Sequence, residues 1–281
     1  MAPRYGTTLS RTGHDQYGVI VEIIILPTPA EVGRVAAAKI ASVVAKKPSA
    51  VIGLATGSSP QGIYADLQRR VDAGEIGFAE ARGFALDEYV GIPLEHPESY
   101  ASVIARDVVG PLGFDPARVR VPDGRAADLE FAAKEYDAAI RAAGGVDVQI
   151  LGIGANGHIG FNEPTSSFAS RTRIKTLAPS TRAANARFFD SPDQVPTHCM
   201  TQGLGTILEA RELVLVAQGS AKADAVAAAV EGPLSSFVPG SALQLHEHAT
   251  VVVDEEAAAG LRLADYYRYT YDNKPAWQRF E

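Results

Sequence analysis

The chain has 281 residues, 46% of them hydrophobic and 21% charged, with a formal net charge of −7. That length can bury a sizeable core, and a mildly acidic chain without a basic block argues against nucleic acid or an anionic membrane as partner. A single cysteine, Cys199, excludes an intramolecular disulfide, and no apolar run reaches the length of a membrane span, so a cytoplasmic protein is expected.

Residues 1–19 are polar, rich in Gly, Thr and Arg, and carry neither a helical nor a strand period. They read as a flexible N-terminal extension ahead of one domain spanning residues 20–281. The apolar run 20–26 is the first expected strand, and an alanine-rich helix follows over about 30–46. A second strand at 50–55 leads into Thr56-Gly57-Ser58-Ser59-Pro60, which opens a helix over about 60–73. Free backbone N–H groups, hydroxyls and the positive end of a helix make such a loop an anion cradle, with an ordinary βα loop capped by Ser59 as the alternative. It has neither the Lys of a Walker loop nor Rossmann spacing, which disfavours a nucleotide.

The third strand, 82–86, runs straight into Asp87-Glu88. A carboxylate at the carboxyl edge of a sheet is partly desolvated and becomes a candidate general base, although period alone does not say which of the two acids faces the pocket. Helices are expected over about 99–108 and 126–143, then a strand over 146–153. That strand ends in Gly152-Ile-Gly154-Ala-Asn156-Gly157-His158-Ile-Gly160-Phe-Asn-Glu163-Pro164, where close-set glycines bring backbone near something. His158 and Glu163 flank the turn as a base and its orienting acid.

Residues 162–203 lack a clear pattern and read as a lid or active-site excursion holding Arg171, Arg173, Lys175, Arg182 and Arg187. After a strand at 212–217, Lys222 opens a helix and is a candidate phosphate clamp. His246 and His248 precede the last strand, 249–253, without a third ligand at convincing spacing, so no metal is expected. Strand alternating with helix predicts an α/β fold: one domain with a mostly parallel sheet and helices on both faces.

With these blocks in view, the chain resembles the glucosamine-6-phosphate deaminase (isomerising) family. The matching segments are Gly53-Leu-Ala-Thr-Gly-Ser-Ser-Pro60, Leu86 to Gly91 with His96-Pro-Glu-Ser-Tyr100, and Leu151 to Pro164. They continue through 166–177, 181–189 and Leu243-Gln-Leu-His246, in order along nearly the whole chain. The resemblance implies a modified Rossmann-like fold without metal or organic cofactor. It also implies interconversion of glucosamine 6-phosphate with fructose 6-phosphate and ammonia. By the same resemblance, Asp87 moves the C2 proton and His158 opens the pyranose at O5, supported by Glu163 and positioned by Asn156. Gly57, Ser58, Ser59, Arg187 and Lys222 would hold the phosphate. Ser166, Ser167, Arg173 and Lys175 match the site at which allosteric members bind N-acetylglucosamine 6-phosphate between subunits. The extension before residue 20 argues against that activation and its hexamer, and leaves the oligomeric state open, a homo-oligomer included. Two alternatives are weaker. A 6-phosphogluconolactonase has Arg after the Asp-Glu pair and lacks Phe-Asn-Glu-Pro, and a sugar-phosphate sensor would carry a helix-turn-helix segment.

Overall fold

The computed structural model describes residues 21–279, and the expected extension over 1–19 lies outside them. The chain alternates as the apolar periods require. β1 (Glu22–Leu26) is followed by α1 (Pro29–Lys46), which Thr28 caps by accepting the Glu31 N–H at 3.3 Å. Next come β2 (Val51–Leu54), α2 (Gln61–Asp72), β3 (Arg82–Ala85), β4 (Asp87–Tyr89) and α3 (Tyr100–Ile104). A π turn at Ala105–Val109 carries α3 into α4 (Gly110–Leu112), and β5 (Val119–Arg120) and α5 (Leu129–Ala142) follow. The second half holds β6 (Val148–Leu151), β7 (Arg173–Thr176), α6 (Pro179–Asn185), β8 (His198–Thr201) and α7 (Leu204–Leu208). β9 (Glu212–Ala217), α8 (Ala223–Val230), β10 (Ala249–Asp254) and α9 (Ala264–Asp272) complete it.

Seven strands form one parallel sheet in the order β1-β10-β9-β6-β2-β3-β5, with helices on both faces. Its central strands are buried on both sides, with Ile150, Val214 and Val251 wholly inaccessible. Each such side chain contributes roughly 1.5–3 kcal/mol of burial free energy. From β2 the chain steps outward through β3 to β5, then returns to β6 beside β2 and builds in the other direction. Such a reversal opens a crevice at the carboxyl ends of the two central strands.

One expectation needs correction. The stretch 162–203 is not patternless, for β7 and β8 lie within it, β8 pairing with β4 and β7 with β8 in a separate antiparallel sheet ordered β4-β8-β7. These strands escaped the period because they are only three or four residues long and their partners are remote in sequence. The small sheet has its own apolar cluster of Tyr89, Ile92, Phe161, Leu177 and Cys199, with Tyr100 and Phe189 against it.

Candidate active site

The loops after β9, β6, β2 and β3 rim the carboxyl edge of four adjacent strands. Between β3 and β4 lies only Leu86, so the chain leaves the large sheet and enters the small one within a residue. Successive strand residues point to opposite sides, and this separates the two acids. Glu88 turns towards the start of α3, where its carboxylate accepts the N–H groups of Tyr89, Tyr100 and Ala101 at 2.8, 3.0 and 2.9 Å. It serves as a helix anchor. Asp87 turns the other way, towards Thr201 and the glycine loop after β6. Burial, reinforced by the charge of Glu88, pushes its carboxyl up to about 8, and the Phe161 N–H and Thr201 hydroxyl offset only part of that.

The loop after β6 folds back on itself through the Gly154 N–H to the His158 carbonyl at 2.9 Å. A Cβ on Gly154 would overlap the His158 ring, so only glycine lets the imidazole lie across this turn. Asn156 braces both ends: its Oδ1 accepts the His158 N–H at 3.2 Å and its Nδ2 donates to Glu163 Oε2 at 2.7 Å. The other oxygen of Glu163 accepts the Ala178 N–H at 3.0 Å, ahead of α6. Burial alone would raise the Glu163 carboxyl, but His158, Thr181 and the Ala178 N–H together hold it down at about 2. His158 Nδ1 stands 3.7 Å from Glu163 Oε2, so the pull between them is electrostatic rather than a formed hydrogen bond. That nitrogen is buried without a hydrogen-bond partner, and a small movement of the ring would make the bond.

On the β2 side, Thr56–Ser59 leads into α2, whose cap is Pro60, and no side chain caps the helix. Ser59 therefore does not serve as the N-cap of the ordinary-loop alternative. Arg187, just beyond α6, donates from Nη2 to Ser58 Oγ at 3.3 Å. Lys222 reaches in from the loop after β9 and donates from Nζ to the Ile153 carbonyl at 2.6 Å. Burial, and after it the positive charge of Arg187, lowers the Lys222 ammonium below its usual range. Arg187 thus stands at the Ser58 hydroxyl with Lys222 near enough to feel its charge, and an anion between the two cations would relieve both. Asp254 pins the Lys222 loop by accepting the Gly219 N–H at 3.0 Å on each oxygen.

Three of the other basic candidates are engaged elsewhere. Arg171 pairs with Glu209 at 2.6 Å and with Asp137 at 3.3 Å. Arg182 donates to the Val195 carbonyl, and Arg173 gives its guanidinium to Asn162, Ser166 and the Arg171 carbonyl. Among the described residues no three His, Cys, Asp or Glu side chains converge as metal ligands, and His246 Nε2 sits 2.7 Å from the Ala210 carbonyl. No helix among them is long and apolar enough to cross a membrane. A cavity of about 1130 Å³ opens at the opposite edge, beneath the starts of β1, β9 and β10. Charged groups in its lining are paired with one another, Lys39 with Glu212 and Lys274 with Glu22, each at 2.5 Å. Thr201 is the site residue that sequence reading missed. It lies 114 residues from Asp87, and no local signal marks it.

Residues 28–252 match the family described as glucosamine-6-phosphate isomerases/6-phosphogluconolactonase. The glucosamine-6-phosphate deaminase of Mycolicibacterium smegmatis is 57% identical over 259 residues, covering 92% of this chain and 99% of that protein. The deaminase of Bifidobacterium longum subsp. infantis is 58% identical, covering 92% and 98%. Among solved structures, a monomeric glucosamine-6-phosphate deaminase superimposes with a TM-score of 0.83 at 40% identity, over 85% of this chain and 99% of that one. A 6-phosphogluconolactonase from Trypanosoma cruzi gives 0.68 at 20% identity, over 89% and 100%, a likeness of fold alone.

Proposed function

The chain belongs to the glucosamine-6-phosphate isomerase/6-phosphogluconolactonase family, and from that premise we propose that it converts glucosamine 6-phosphate to fructose 6-phosphate and ammonia. The net reaction breaks the C2–N bond and consumes one water, a hydrolytic deamination coupled to an aldose–ketose isomerisation. The observation that carries this reading is Asp87. It is a buried carboxyl with its proton affinity raised to about 8, while its neighbour Glu88 is the acid of the pair that anchors the start of α3. A base with its pKa near the working pH suits abstraction of a proton next to a carbonyl.

A closed pyranose has no acidic C–H, so the ring must open first. His158 shuttles the proton between O1 and O5, and Glu163, kept ionised at about 2, steadies the imidazolium that forms. Asn156 holds the pair in register without carrying charge. In the open aldehyde, Asp87 takes the C2 proton, and the electron pair passes into an enolamine. Protonation at C1, addition of water at C2 and loss of ammonia complete the sequence. The backbone of Gly57, the hydroxyls of Ser58 and Ser59, and the cations Arg187 and Lys222 bind the phosphate at the far end. Fixing that end aligns C2 with the base. One chain supplies every residue invoked, and a related deaminase is described as monomeric, which supports activity without a partner subunit.

The test is ammonia release by purified protein from glucosamine 6-phosphate, from its N-acetyl form and, by acid production, from 6-phosphogluconolactone. Ammonia matched by fructose 6-phosphate from the first substrate alone is expected. Hydrolysis of the lactone with no ammonia from the amino sugar would overturn the proposal.

A further inference from the structure

A row of side chains crosses one face of the small antiparallel sheet. Asp87 on β4 stands opposite Thr201 on β8, and Thr201 stands opposite Arg173 on β7. Thr201 is wholly buried, so its hydroxyl must find partners inside the protein. Its oxygen accepts the Phe161 N–H at 3.1 Å. One proton is then left to give, with two acceptors in reach: Asp87 Oδ2 at 3.5 Å and the Gln202 carbonyl at 3.4 Å. A hydroxyl proton rotates to suit its surroundings, and an ionised carboxylate is the stronger acceptor whenever it is present. Gly160 permits the arrangement, since its φ is +53° and a Cβ there would crowd Thr201 Oγ1 at 3.1 Å and approach Asp87 Oδ2 at 3.6 Å.

We propose that Thr201 is a positioning residue for proton transfer at C2. Its hydroxyl, oriented by the Phe161 N–H, donates to Asp87 while that carboxylate is ionised and turns to the Gln202 carbonyl once Asp87 has taken the proton. This rests on the reading of Asp87 as the base. The balance is simple: the C2 proton moves to a carboxylate oxygen of Asp87, and the C–H electron pair enters the enolamine. Thr201 keeps its own proton and exchanges one acceptor for the other. The loop that carries His158 is thereby tied to the strand that carries Asp87.

The titratable groups coupled to Asp87 are Glu88 and Tyr89 on its own strand, Tyr100 at the start of α3, Tyr136 on α5 and Cys199 on β8. None of these is a cation. Arg173, third in the row, gives its guanidinium to Asn162, Ser166 and the Arg171 carbonyl. The Thr201 hydroxyl is therefore a main donor to the Asp87 carboxylate, together with the Phe161 N–H behind it.

The experiment is a carbon-13 NMR titration of aspartate-labelled protein in the wild type, Thr201→Val and Thr201→Ser, with the Asp87 signal assigned by its loss in Asp87→Asn. Removing a donor to the charged form raises the midpoint, by about one pH unit in Thr201→Val, a tenfold change in proton affinity. Thr201→Ser keeps the hydroxyl and holds the midpoint near the wild-type value. The acid limb of kcat/KM should move with the midpoint. An unmoved midpoint in Thr201→Val, or an equal shift in Thr201→Ser, overturns the proposal. If Thr201→Val does not fold, Thr201→Cys, a weak donor, takes its place with a shift of the same sign. Asp87→Asn separates the two readings. If it remains active, Asp87 is not the base whatever Thr201 does; if it is inactive and the Thr201→Val midpoint is unmoved, the role of Thr201 alone fails.

Discussion

The turn after β3 and the loop after β6 each bury an acid to nearly the same depth, Asp87 at 6% and Glu163 at 5% exposure, yet the two hold protons in opposite ways. Glu163 has donors in Asn156, the Ala178 N–H and Thr181, with the His158 ring 3.7 Å away, and its carboxyl lies at about 2. Asp87 has the Thr201 hydroxyl with the Phe161 N–H behind it, and the Glu88 charge beside it, and lies at about 8. Burial raises both carboxyls, but at Glu163 the donors and the His158 ring outweigh it, whereas at Asp87 the donors offset only part of it and the Glu88 charge adds to it. One region is built to keep a charge and the other to exchange a proton.

The comparison can be broken most severely at Asp87. Asp87→Asn should lower ammonia release roughly 10²–10⁴-fold while leaving sugar-phosphate binding by calorimetry nearly unchanged. It also tests the sign. A carboxyl with a raised folded pKa stabilises the protein at low pH and loses that contribution as pH rises through about 8. Asparagine does not ionise, so melting curves of mutant and wild type should diverge in the mutant's favour as pH rises from about 4 to about 8 and run parallel above that.

Glu163→Gln should lower turnover roughly 10²-fold, because the imidazolium loses its counter-charge. Unlike Asp87→Asn, it should destabilise the protein at pH 7, by about 1–3 kcal/mol in urea melts. A depressed carboxyl contributes stability above its unfolded pKa, and that contribution disappears as pH falls towards about 2, so the deficit should shrink on acidification. In the wild type, kcat/KM should rise about tenfold per pH unit on the acid side and level off near 8; a limb near pH 4 would assign the titration to an ordinary carboxylate. The smallest effect belongs to the phosphate end. Lys222→Ala should raise KM roughly tenfold with little change in kcat, because a phosphate contact holds substrate and transition state alike.

Much of the large sheet could be read from the chain. Runs such as Val148–Leu151 and Glu212–Ala217 are apolar and bounded by turns, and they form the parallel ladder. The small sheet could not be read. Arg173–Thr176 and His198–Thr201 are short and partly polar, and pairings such as Asp87 with Thr201 join residues 114 apart. The loops that follow the long strands were visible as unusual, which is why Thr56–Ser59 and the glycine turn at His158 stood out. The period does not separate Asp87 from Glu88, and the family resemblance alone singles out Asp87, because the difference depends on β4 being a strand whose alternate residues face α3 and β8. The basic cluster also needed coordinates to sort it: Arg187 meets Ser58, whereas Arg171 is paired with Glu209 and Arg182 with the Val195 carbonyl.

The most direct measurement follows the C2 hydrogen of glucosamine 6-phosphate by proton NMR in D₂O, with wild type and Asp87→Asn side by side. If Asp87 moves that proton, the wild type removes the C2 signal as fructose 6-phosphate forms, and Asp87→Asn leaves it in place over the same interval although the sugar phosphate binds. Loss of the C2 signal at the wild-type rate in Asp87→Asn would contradict the account.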